Sequence, residues 1–255
     1  MALSNAVGGT TFFCMRWLAF FLFLALSVTA SAQTLVLGYS DSDPPPYYFV
    51  EGGNLAGGFF FDLGQKLAKQ LGTTVVFHAY PRKRIEDALA RGEVDALPFE
   101  NPGWDADARR FLWSKPYFVD RNRILLPRLG PTDVRSAADL KGLRIGTILG
   151  YYYSTLDAGF TAGTFSREDV QTLRQNIAKL QSGRIDALVA SEYELDWAVG
   201  VKNGAFRKGS WIVEASFVSM AVSPLSPLAP ETIIKALDTL QNEGAIQTIW
   251  AKYQR

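Results

Sequence analysis

One nine-residue pattern occurs twice: LARGEVDAL at 89–97 and LQSGRIDAL at 180–188. Each copy reads Leu-x-x-Gly-x-[Val/Ile]-Asp-Ala-Leu, that is, a helix end, a glycine turn, an aspartate and the start of a buried strand. A chain that builds this unit twice is constrained to two parts of similar topology. Asp95 and Asp186 are candidate catalytic carboxylates by position. The structural reading is favoured, because a turn that leads into a strand is where Asp bonds nearby amides.

The sequence around both copies has the same rhythm. TLVLGY (34–39), TTVVF (73–77) and VDALPF (94–99) read as strands. Between them lie helical stripes: Leu63, Leu67 and Leu71 before Gly72, then Ile85 and Leu89 before Gly92. LRIGTIL (143–149) and RIDALVA (184–190) are strands again, separated by a stripe of Val170, Leu173, Ile177 and Leu180. A proline-rich loop, VSPLSPLAPE (222–231), precedes a helix carrying Ile233, Ile234, Leu237 and Leu240, and then a last amphipathic turn with Ile246, Ile249, Trp250 and Tyr253. Strands alternating with helices predict an α/β fold built on parallel sheet.

Residues 1–32 differ from the rest: they contain no acid and one cation, Arg16, followed by the apolar run Trp17–Val28 and the small residues Ala30-Ser31-Ala32. The run is shorter than the ~20 residues of a membrane span, so the segment reads as a secretory signal peptide cleaved after Ala32. Met15 is an alternative start. Cleavage removes Arg16 and balances the remaining 25 acidic residues with as many basic ones, and it also removes Cys14, the chain's single cysteine. The mature fold is expected to stand without disulfides, and thiol chemistry is excluded.

Composition narrows the function further. A formal net charge of +1 offers no electrostatic footprint for nucleic acid. The single histidine, His78, closes a strand-like run and reads as structural. There is no G-x-S-x-G turn, zinc-ligand spacing or phosphate-cradling loop, so no cofactor and no metal are expected.

The ordered pieces PPPYYF (44–49), GGFFFDL (57–63), GEVDAL, WSKPYF (113–118), DLKGLRIGTILG (139–150), GRIDALVAS (183–191) and NEGAIQTIWAKY (242–253) resemble the bacterial extracellular solute-binding proteins of the polar-amino-acid class. The resemblance runs from about residue 34 to the end. It implies a type II periplasmic-binding-protein fold, with two lobes, each a mixed sheet flanked by helices, joined by two crossing strands near Tyr117–Leu126 and Ser216–Val222. Lobe 1 would comprise 33–118 and 222–255, and lobe 2 would comprise 119–221. A small-molecule solute would sit in the cleft, the protein would be a periplasmic monomer, and an inner-membrane ABC permease would be its partner. No catalytic group is implied. The alternatives are an enzyme on the same scaffold, resembling cyclohexadienyl dehydratase, and an accessory or sensor protein.

The same resemblance marks a departure. The family's carboxylate-clamping arginine falls on Asp107, counted back from Ser114. Its ammonium-binding aspartate falls on Ser191, counted on from Asp186. Both halves of a zwitterion clamp are missing, and a carboxylate facing Asp107 would be repelled. Arg109 and Arg110 read as solvent-facing. Further cleft residues implied by the alignment are Tyr47 and Tyr48, Arg82 and Arg84, Glu100, Pro102 and Trp104, and Tyr151 or Tyr152. Tyr153 is expected to pack on the core. Arg84 could instead pair with a rim carboxylate, and Glu192 could replace the lost acid or open a solvated helix. Aromatic surfaces with acids point to an aromatic, amine-bearing or otherwise non-standard solute.

Overall fold

The computed structural model describes Met1 and residues 33–130, 133–199 and 204–253. The expected leader and its cleavage point lie outside these residues. Strand β1 (Thr34–Ser40) is flanked by β4 (Thr74–Tyr80) and β5 (Ala96–Glu100), both parallel to it. β4 ends the sheet, and its residues alternate between exposed and half-buried as an edge strand's do. The second part repeats the plan: β8 (Arg144–Ile148) lies between β9 (Ser166–Val170) and β10 (Ala187–Ser191), all parallel.

The twin aspartates explain the echo. Asp95 accepts the Val36 amide at 2.7 Å, and its own amide donates to the Val36 carbonyl at 2.7 Å. Asp186 does the same with Arg144, at 2.8 and 2.9 Å. Each aspartate therefore extends the ladder to the neighbouring parallel strand just before its own strand begins.

Two antiparallel strands join these groups: β7 (Phe118–Pro127) and β11 (Phe206–Val222). The strand order is β4-β1-β5-β11-β7-β10-β8-β9, and β6 (Leu112–Trp113) also pairs with β11. The two sheets expected from the sequence are therefore continuous. The reason is the length of β11: its 17 residues reach roughly 55 Å at the usual strand rise, so it pairs with β7 as far as Val218 and with β5 and β6 beyond it. The short hairpin of β2 (Phe49–Glu51) and β3 (Asn54–Gly57) forms a separate two-stranded sheet.

Helices cover the sheet where apolar stripes allow it. α1 (Phe59–Leu71) buries Phe59, Phe60, Leu63 and Leu67. α2 (Ile85–Ala90), α6 (Pro230–Asn242) and α7 (Ala245–Ala251) form where apolar stripes predict them, the last two after β11, while α3 (Ser154–Thr161) and α5 (Glu192–Val199) lie between strands. α4 (Leu173–Gln181) opens with a capping box in which Thr172 and Gln175 bond reciprocally. Val170, which fits the same apolar stripe, instead ends β9. One core gathers Leu35, Leu37, Phe59 and Phe60 with Val218 and Trp250, and another gathers Ile124, Leu126, Ile145 and Val189.

Gly58 sets the approach to the site. Its φ is 117°, and a Cβ there would lie 2.3 Å from the Tyr47 carbonyl oxygen, so only glycine fits. The close approach lets the Phe59 amide donate to Pro46 at 2.9 Å and the Phe60 amide to Tyr47 at 3.2 Å. The loop carrying Tyr47 and Tyr48 is thereby fixed against the start of α1.

Candidate functional site

The carboxyl ends of β1, β5, β8 and β10 converge on an internal cavity of about 100 Å³. Residues just past these ends line it: Ser40 and Asp43 after β1, Glu100 on β5, Ile148 and Tyr151 around the end of β8, and Ser191 on β10. Ligand sites in α/β sheets form beyond strand carboxyl ends because diverging loops leave a crevice there.

Of the residues predicted from sequence, Tyr48, Arg82, Glu100, Trp104, Tyr151, Tyr152 and Ser191 all line this cavity. The other four are not among its lining residues. Tyr47 is fully buried behind it: its hydroxyl donates to Asp120 Oδ1 at 2.8 Å and lies 2.8 Å from Ser191 Oγ. Arg84 and Pro102 are exposed. Asp107 is exposed in a turn before Ala108–Arg110, with Arg109 Nε 3.8 Å away. Arg109 is exposed, whereas Arg110 is half-buried and pairs with Asp105 and Asp87. Tyr153 packs in the core as expected, 3% exposed, yet its edge also reaches the cavity. Glu192 pairs with Arg123 at 3.1 Å and Arg121 at 3.7 Å, and it does not line the cavity.

The wall is strongly acidic. Among the described residues, six carboxyl groups line it (Asp43, Glu86, Glu100, Asp120, Glu194 and Glu214) against one cation, Arg82. Arg82 is committed to its neighbours: its two terminal nitrogens donate to the two Glu100 oxygens at 2.8 and 3.2 Å, and Nη2 also meets Glu86 at 2.8 Å. Asp43, Asp120, Glu194 and Glu214 make no salt bridge among the described residues. Asp43 instead accepts from the Tyr151 hydroxyl at 2.7 Å and the Ser40 amide at 3.1 Å. Asp120 accepts from Ser191 Oγ at 2.5 Å as well as from Tyr47.

Burial dominates the titration of these acids. It pushes Asp43 up to about 6, against the opposing pull of the Tyr151 hydrogen bond and Arg82. It pushes Glu100 up to about 7 despite the Arg82 pair. Glu194 rises well above the usual carboxylate range through burial and the nearby charges of Asp120 and Asp43. Asp120 is raised by burial, in part offset by bonds from Ser191 and Tyr47.

Aromatic rings supply the rest of the surface. Tyr39 and Tyr48 lie 4.6 Å apart between centroids, and Trp104 meets Phe99 edge-on at 5.8 Å. Tyr48 is 1% exposed and its hydroxyl has no hydrogen-bond partner. Gly150, at φ 88°, lets the turn after β8 approach Lys83, whose Cγ would be 3.2 Å from an added Cβ. The sequence reading missed Asp43, Asp120 and Glu194. One of them had a local signal: Asp43 directly precedes the PPPYY motif.

A mixed α/β sheet with a cavity beyond its strand ends defines a small-molecule-binding architecture. The chain belongs to the bacterial extracellular solute-binding proteins, family 3, whose model matches residues 35–255. It is 21% identical to the arginine-binding periplasmic protein of Mannheimia haemolytica over 89% of this chain and 93% of that protein. Among solved structures it resembles an ancestral arginine-binding protein bound to glutamine, with 26% identity and a TM-score of 0.70, covering 86% of this chain and 97% of that one. It also shares the fold of an ancestral amino-acid-binding protein, AncCDT-1, described as a precursor of cyclohexadienyl dehydratase. That match has a TM-score of 0.73 at 21% identity, over 87% of this chain and 95% of that one.

Proposed function

We propose that the protein is a periplasmic solute-binding protein, exported by cleavage after Ala32. It captures a small organic solute in this cavity for an inner-membrane ABC permease, and it does not hold a standard L-amino acid in the family's usual mode. Lobe 1 (33–118 and 222–255) and lobe 2 (119–221) would close on the solute by bending at β7 and β11, as hinged binding proteins do. The protein would act as a monomer. The relatives named above are binding proteins.

The observation that carries this reading is the state of Arg82. Among the described residues it is the one cation lining the cavity, and a buried carboxylate, Glu100, and a half-buried one, Glu86, already hold it. No free guanidinium in the lining is available to clamp a ligand carboxylate. Thermal shift against a metabolite panel tests the reading: a small solute should raise Tm while standard L-amino acids should not. Strong stabilisation by a common L-amino acid would overturn the departure from the usual mode.

A second reading draws on Asp43 and Glu100, carboxyls poised near 6 and 7 inside a cavity. Such groups suit acid–base chemistry, as in a dehydratase. The acidic wall opposes a dianionic substrate, and a turnover assay with product detection separates the two readings.

A further inference from the structure

We propose that the cavity selects an organic cation without a carboxylate, a small primary amine or diamine, whose ammonium group is received by Asp43 and Glu194 and whose carbon skeleton lies against Tyr48, Tyr151 and Trp104. The proposal rests on the solute-binding reading and names the class of solute.

Three observations carry it. First, Asp43, Asp120, Glu194 and Glu214 face the cavity with no cation paired to any of them among the described residues. Asp43 and Glu194 both line the cavity, and the Asp43 charge is among those that raise Glu194. An ammonium placed between them favours their ionised forms and supplies a counter-charge that the lining does not give them. Second, a carboxylate-bearing ligand would have to take Arg82 from Glu100 and Glu86. Glu100 is 4% exposed, so that exchange leaves a buried carboxylate without its partner. Third, Tyr48 lines the cavity and offers an aromatic ring, whose face attracts a cation.

The aromatic lining suits the same ligand. Cations are attracted to ring faces, and Tyr39, Tyr48, Tyr151 and Trp104 present rings around the acids. The volume of about 100 Å³ limits the solute to a small molecule: an apolar cavity of ~150 Å³ accepts benzene in another protein. A short alkyl amine or diamine is slender enough for this space and has the right charge.

Calorimetry with the full mature chain and matched pairs that differ only by a carboxylate isolates the claim: agmatine against L-arginine, cadaverine against L-lysine, tyramine against L-tyrosine. In a pair that binds, the decarboxylated member should bind more tightly by on the order of a hundredfold, the ratio expected from one repelled charge at close range. Asp43→Asn and Glu194→Gln should each weaken that binding at least about tenfold. Circular dichroism and thermal melting check that both variants remain folded, and burial already disfavours the charge that Glu194→Gln removes. Tighter or equal binding of the amino acid in any pair overturns the proposal. If no pair binds, native mass spectrometry of the purified protein decides. A co-purified amine lacking a carboxylate supports the proposal, while an acidic or neutral solute overturns it and leaves the solute-binding reading standing. No co-purified solute, with no stabilisation by any member of the panel, overturns the solute-binding reading and the proposal with it.

Discussion

The Tyr151 hydroxyl donates to Asp43 Oδ1 at 2.7 Å, joining the turn after β8 to the loop after β1 across the cavity. This bond connects parts of the chain 108 residues apart. Tyr151→Phe keeps the ring and deletes the donor. Hydrogen bonds to carboxylates contribute roughly 1.5–3 kcal/mol, so the variant should lose about that much stability in urea denaturation. An unchanged midpoint would show that the bond contributes nothing to the fold.

Arg82 is the counter-ion of two acids. Arg82→Met should destabilise by roughly 3–5 kcal/mol, because it leaves Glu100 buried without its partner. Adding Glu100→Gln to that variant should restore much of the loss, since the uncompensated charge is then gone. Equilibrium unfolding of the single and double variants provides the comparison, and additive losses would refute the pairing argument.

Asp43, pushed to about 6, and Glu100, pushed to about 7, hold protons in the folded protein that the unfolded chain has already released. The titratable groups that interact with Asp43 are Arg82, Tyr151, Tyr48, Tyr39, Glu100, Glu194 and Asp41. Because the folded state binds more protons between the unfolded and folded values, ligand-free stability should fall as pH rises from about 4 to about 7, by at most roughly 3 kcal/mol per group. A cationic solute reverses the balance: it favours the ionised acids, so its affinity should rise over the same window with release of protons. Melting curves and calorimetry in buffers of different ionisation enthalpy measure the two trends. Stability that rises with pH here would contradict the burial of these acids.

Asp95 and Asp186 occupy equivalent places, but only Asp95 is deeply buried, at 2% exposure, where it also accepts from Ser226 Oγ at 2.7 Å. Asp95→Ala should cost about 2–3 kcal/mol, and Asp186→Ala less, because water replaces part of what Arg144 provides. Neither substitution should alter solute affinity. Loss of binding without loss of stability in either variant would reopen a direct role for these aspartates.

Asp107 provides the contrasting case. Its side chain is 63% exposed and lies outside the cavity lining. Asp107→Ala should change stability by no more than about 0.5 kcal/mol and leave solute affinity unchanged. A clear affinity change measured by calorimetry would bring this loop into the site.

The parallel strands were legible because short apolar runs and glycine stops mark them directly, and the repeated aspartate tied the two groups together. The joining of the sheets was not, since a strand's pairing partners depend on distant residues and β11 changes partners along its length. Within the site, motif position identified residues at strand ends but not their direction. Tyr47 and Tyr48 are adjacent, yet one bonds Asp120 in the core and the other lines the cavity. Arg82 and Arg84 share one turn, and only Arg82 points inward. Asp43, Asp120 and Glu194 look like ordinary surface acids in sequence, because their burial arises only when both groups of strands are assembled.

β11 follows every other described strand in the sequence, and both β5 and β7 need it as a neighbour. Neither central strand can be completed on its second side until β11 has joined. Assembly that waits on such distant pairing is slow. Under the proposed export, that delay would lengthen the time during which the polypeptide is still loose enough to be threaded through a membrane channel.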